Sequence, residues 1–134
     1  VLERAGRDNA GIVVDAYPVS RTRCRLADVA RVPPSRFGYA QLCDAPAAIP
    51  ATQEAVLAEA RGERRFPGDG ELDLVSLLRA LPPGIPVAVE SPTHALARSV
   101  DALERARRAI AGVRRVLAAA DRDRAVARGG QDTM

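Results

Sequence analysis

The chain is 134 residues long, enough for one hydrophobic core and too short for two domains. Its 20 basic residues are all arginine and are interleaved with 17 Asp and Glu, for a net charge of +3. With two Tyr, two Phe and no Trp it offers neither the massed basic face nor the stacking platforms of a nucleic-acid surface. No apolar run approaches membrane-spanning length and no signal-peptide pattern opens the chain. Cys24 and Cys43 are isolated thiols without CxxC spacing, which fits a reduced, cytoplasmic setting. The expectation is therefore no nucleic acid and no membrane partner.

In chain order, Val1 to Arg7 reads as the end of a helix, as though the product were truncated or late-starting. Gly11-Ile-Val-Val-Asp15 predicts a strand over 11–16, followed by an irregular turn and a short helix near Leu26–Arg31 that Val32-Pro33-Pro34 stops. A second strand is expected over 37–43. A long connection over 44–70 holds a helix at 51–61 ended by Gly62, then the loop Arg64-Arg65-Phe66-Pro67-Gly68-Asp69-Gly70. Leu74, Leu77, Leu78 and Leu81 repeat at helical spacing up to Pro82-Pro83-Gly84. The third strand, 85–90, leads through Ser91-Pro92 into one long helix whose apolar stripe is Leu96, Val100, Leu103, Ile110, Val113 and Leu117. The domain is expected to cover 1–126, with a disordered tail over 127–134.

Short apolar runs between turn signals read as strands buried on both faces, hence a parallel sheet clad in helices. Strand–helix alternation then gives an α/β chain, either an open doubly wound sheet or about three of the eight units of a (β/α)8 barrel. No glycine-rich fingerprint follows a strand, so neither a dinucleotide-binding unit nor a P-loop is supported. In parallel sheets chemistry gathers beyond the carboxyl ends of the strands, where the three runs end on or carry Asp15, Gln41 or Asp44, and Glu90, all oxygen donors able to hold a hard cation. Asp44-Ala-Pro46 reads as a turn former. Gln41, in an apolar strand, calls for a polar partner. Cys43 is expected to face away from Gln41 as a packed thiol. His94, the single histidine, reads as a solvent-exposed residue of a helix's first turn, and a nucleophilic Cys43–His94 pair has no supporting motif. Arg105, Arg107, Arg108, Arg114 and Arg115 read as the solvated face of the last helix.

Four motifs in order are more specific: Val-Val-Asp15-Ala-Tyr; Tyr-Ala-Gln41-Leu-Cys-Asp44-Ala-Pro; Arg64-Arg-Phe-Pro67-Gly68-Asp-Gly70-Glu-Leu-Asp-Leu; and Val-Ala-Val-Glu90. Together they resemble the C-terminal part of the sugar phosphate isomerase/epimerase family, the xylose isomerase-like TIM barrels, over nearly the whole chain. The resemblance implies a divalent cation (Mg, Mn or Co) held at the barrel mouth by Asp15, Gln41 and Glu90, plus a fourth ligand, a Glu, on a strand upstream of Val1. Gln41 in place of histidine is similar to the hydroxypyruvate isomerase-like branch. Arg64 matches the family's substrate-contacting arginine, with Arg65 as the fallback, and Glu90 would be ligand and general base. Pro18 stands where the family often carries a histidine. The implied activity is isomerisation or epimerisation of a small sugar, sugar phosphate or keto-acid through an enediolate, with the chain as the C-terminal part of the enzyme. A dehydratase on the same scaffold and a non-catalytic truncated or degenerate homologue are the alternatives, and the fragment alone is expected to be inactive. A partial barrel would leave two strand edges open and the inward-facing Val13, Ala40 and Val87 uncovered, favouring a homo-oligomer.

Overall fold

The computed structural model describes residues 2–129. The short helix α1 (Leu2–Ala5) precedes β1 (Ile12–Asp15), α2 (Ala16–Arg21) and α3 (Leu26–Ala30); after a turn of 3-10 helix come β2 (Phe37–Leu42), α4 (Gln53–Gly62), α5 (Leu74–Ala80), β3 (Val87–Val89), α6 (His94–Ala97) and α7 (Ala102–Gly129). The three strands form one parallel sheet in the order β1-β2-β3.

The register decides which side chains share a face. Val13 pairs with Tyr39, Val14 with Ala40 and Asp15 with Gln41, after a one-residue irregularity between Ile12 and Val13. Ala40 pairs with Val87, Gln41 with Ala88 and Leu42 with Val89. One face is covered: Val14, Ala40 and Leu42 belong to a core built with Leu74, Leu77 and Leu78 of α5 and Val116 and Ala120 of α7. Because side chains alternate along a strand, Val13, Tyr39, Gln41 and Ala88 take the other face. There Val13 is 44% and Tyr39 37% exposed, whereas Ala40 and Leu42 are fully buried. The expected inner trio of Val13, Ala40 and Val87 is corrected accordingly: Ala40 and its partner Val87 lie one residue out of phase with Val13 and face the helices.

Asp15 ends β1 and caps the next helix, its side chain accepting from the Tyr17 amide at 2.9 Å. The expected irregular turn is therefore helix α2, with Pro18 in its first turn, where a missing amide proton costs little. The long helix foreseen after Pro92 is two helices. Asp101 accepts from the Glu104 amide at 2.9 Å and so begins α7 anew. The face that α7 buries is Ala109, Val116 and Ala120, with Gly112 against the Pro67 carbonyl; Leu103 and Ile110 are exposed. Of the five arginines expected on the outer face, Arg105 is half-buried. Helix α7 continues to Gly129, and the rest of the expected tail, 130–134, lies outside the described residues. Among the described residues no helix is long and apolar enough to cross a membrane.

Candidate functional site

The parallel register puts Asp15, Gln41 and Ala88 in one row across the sheet. Glu90 follows Ala88 by two positions and its amide donates to the Leu42 carbonyl at 3.0 Å, continuing the ladder past the end of β3. Alternation then sends Asp15, Gln41 and Glu90 to the same uncovered face at the carboxyl ends of the strands. Gln41 is half-exposed, so water can serve as the polar partner that its place in an apolar strand calls for.

The loop after α4 brings Arg64 to this row. Its Nη1 donates to Asp15 Oδ2 at 2.9 Å and to the Glu90 carbonyl at 3.2 Å, and its Nε to the Ala60 carbonyl at 2.9 Å. Arg65, by contrast, donates to the Asp69 carbonyl at 3.4 Å and pairs through its backbone with Asp44. Burial opposes the Arg64 charge, but the hydrogen bond and the negative charge of Asp15 outweigh it and raise the guanidinium pKa further. The cation is thus held firmly.

Asp44 explains why this loop stays in place. It is 1% exposed, and its carboxylate gathers three amides: Oδ1 accepts from Ala45 at 2.9 Å and Leu72 at 3.0 Å, and Oδ2 accepts from Gly68 at 2.9 Å. The backbones of Asp44 and Arg65 exchange two further hydrogen bonds of 2.8 Å. Gly70 lies so close to this carboxylate that a side chain there would collide with it. The turn-forming role read from Asp44-Ala-Pro is therefore observed, extended to a loop more than twenty residues away.

Cys43 requires a correction. Positions 41 and 43 share a parity, so alternation puts Cys43 on the face of Gln41 and not away from it. It is fully buried, its Sγ 3.8 Å from Arg64 Nη1. Burial pushes its thiol up to about 12 against the opposing pull of Arg64, so it stays protonated and unreactive. His94 is exposed, as anticipated.

A second cluster behind Asp15 was not foreseen. The Tyr17 hydroxyl lies 2.8 Å from the Val56 carbonyl and 2.7 Å from Glu59, its one proton shared between the two acceptors. Arg21 pairs with the same Glu59 oxygen at 2.9 Å and donates to the Pro46 carbonyl at 3.0 Å. The guanidinium carbons of Arg21 and Arg64 lie 4.9 and 4.7 Å from the Tyr17 ring centroid. The available signal was the spacing of Tyr17 and Arg21, one helical turn apart on α2.

Three oxygen donors on one sheet face, two of them carboxylates, suit a hard divalent cation. Among the described residues no three of His, Cys, Asp and Glu gather into a metal-holding group. A cleft of about 260 Å³ opens beside Arg64, lined by Gly62, Glu63, Phe66, Thr93 and Leu96 among others.

Neither a protein-family model nor a curated protein matches the chain. Solved structures do. A xylose isomerase domain protein from Alicyclobacillus acidocaldarius subsp. acidocaldarius is 27% identical, with a TM-score of 0.68 over 89% of this chain and 41% of that one. A xylose isomerase-like TIM barrel/4-hydroxyphenylpyruvate dioxygenase fusion protein is 26% identical, with a TM-score of 0.58 over 67% of this chain and 14% of that one. The IOLI protein with a bound zinc atom superposes with a TM-score of 0.63 over 88% of this chain and 40% of that one; at 17% identity that likeness concerns the fold alone. The chain has the fold of part of a xylose isomerase-like TIM barrel, and it spans about two fifths of the Alicyclobacillus and IOLI chains.

Proposed function

We propose that the chain carries the metal-holding part of an isomerase or epimerase that acts on a small sugar, sugar phosphate or keto-acid by proton transfer next to a carbonyl, through an enediolate. The observation that carries this reading is the row Asp15–Gln41–Ala88, with Glu90 two residues beyond on the same uncovered face. Asp15, Gln41 and Glu90 would hold a divalent cation such as Mg, Mn or Co, or the zinc seen in the IOLI protein. Such a cation supplies polarisation of carbonyl and hydroxyl oxygens.

The rest falls to the chain's own side chains. The Glu90 carboxylate, exposed at the strand end, would take a proton from a substrate carbon and return it. The planar donor fork of Arg64 suits substrate hydroxyl, carboxylate or phosphate oxygens.

Thermal unfolding with and without Mn²⁺ tests the metal site. A ligand that binds the folded state alone raises the melting temperature, and Asp15→Asn and Glu90→Gln should each abolish the rise. Full retention of the rise by both variants would sink the ligand assignment. For the chemistry, enzyme turning over a sugar or keto-acid in deuterated water should place deuterium at the carbon next to the carbonyl. Turnover without uptake would point to hydride shift instead.

A further inference from the structure

Arg64 is fastened at points that do not involve Asp15. Nε is tied to the Ala60 carbonyl at 2.9 Å, Nη1 reaches the Glu90 carbonyl at 3.2 Å, and the guanidinium carbon lies 4.7 Å from the Tyr17 ring centroid. Tyr17 is itself fixed by its hydroxyl bonds to Val56 and Glu59. Both oxygens of Asp15 are engaged, Oδ1 by the Tyr17 amide and Oδ2 by Arg64 Nη1, each at 2.9 Å. The two side chains of this ion pair are 11% and 15% exposed, so water screens their charges little. A doubly charged cation on Asp15 would therefore stand within a few ångströms of a fixed positive charge.

We propose that Arg64 and the divalent cation compete for the Asp15 carboxylate. Cation binding breaks the Asp15–Arg64 pair, and the guanidinium, still held by Ala60 and by the Tyr17 ring, turns its freed donor toward the substrate. The inference rests on the metal reading above and adds the order of loading, cation before substrate. Without the cation, Arg64 keeps a nearly buried carboxylate neutralised, which that environment demands.

Calorimetric titration of Mn²⁺ into the chain decides it, with Arg64→Gln, Asp15→Asn and the double variant alongside. Arg64→Gln should bind Mn²⁺ at least tenfold more tightly than the parent, and the double variant should lose that binding. Equal or weaker binding by Arg64→Gln, with Asp15→Asn still abolishing binding, overturns the competition and leaves the metal reading standing. Failure of both parent and Arg64→Gln to bind overturns both. Nitrogen-15 NMR of the Arg64 guanidinium provides the same decision in the parent chain if Arg64→Gln does not fold. Saturating Mg²⁺ should shift its Nη–H signals in the parent and not in Asp15→Asn, and unchanged signals overturn the proposal.

Discussion

Tyr17 and Glu59 meet 42 residues apart in sequence, the phenol donating to the carboxylate at 2.7 Å, and Arg21 binds the same oxygen at 2.9 Å. The side chains of Arg21 and Glu59 are 4% and 12% exposed, so each charge depends on the other. Glu59→Ala should cost about 3–5 kcal/mol in urea unfolding, because it strands a buried guanidinium. Tyr17→Phe keeps the ion pair and the ring and should cost about 1 kcal/mol. Equal effects would show that Glu59 matters only as the phenol's acceptor.

Asp44 should be the most sensitive carboxylate for folding. Asp44→Ala leaves three amides without their acceptor and should destabilise the chain by more than about 3 kcal/mol. Asp44→Asn keeps one acceptor oxygen and should lose less. Chemical denaturation of the two variants, compared at constant slope, checks the ranking.

The alkaline limb of stability follows from Cys43. Its folded thiol, raised by burial from the ordinary 9.0 to about 12, holds a proton that the unfolded chain releases. This contribution is complete below about pH 9 and is lost as pH rises toward 12. Tyr17, raised above its ordinary 10.0 by burial and then by Glu59, adds to the loss in the same direction. Urea midpoints should fall steadily above that pH, and Cys43→Ala should flatten part of the slope. Native protein should give one thiol to a disulfide reagent, the exposed Cys24, and two after unfolding.

The uncovered sheet face should make the isolated chain self-associate. Val13 and Tyr39 lie open on it, and among the described residues β1 and β3 each pair only with β2. Sedimentation velocity at micromolar concentration should show association, and Tyr39→Lys should reduce it. A monodisperse monomer would mean that this face is content in water.

The strands were legible because each is a short apolar run closed by turn residues, and Asp15, Gln41 and Glu90 could be named as candidates once the ordered motifs were added to the strand ends. What alternation decides needs a register, however. The irregularity between Ile12 and Val13 hid the fact that Ala40 and Val87 face the helices. Of the expected apolar stripe, Leu117 packs on the core and Val113 is half-buried, but Leu103 and Ile110 obey helical periodicity while remaining exposed, and the buried Ala109 and Gly112, the latter against Pro67, were not expected. The Asp44 and Tyr17 clusters join residues more than twenty positions apart, a separation that local pattern does not encode.

The row Asp15–Gln41–Ala88 also acts as a ruler. Strand spacing fixes neighbouring Cα atoms about 4.8 Å apart, while two oxygens on one small cation sit about 3 Å apart. Asp15 and Gln41 need only lean toward each other, but Glu90 starts one row further along and must reach back. In the proposed metal site its extra methylene would supply that reach, and side-chain length on a stiff comb of strands would select the size of ion. Shortening Glu90 to aspartate would widen the opening and shift preference from Mg²⁺ toward a larger ion such as Ca²⁺.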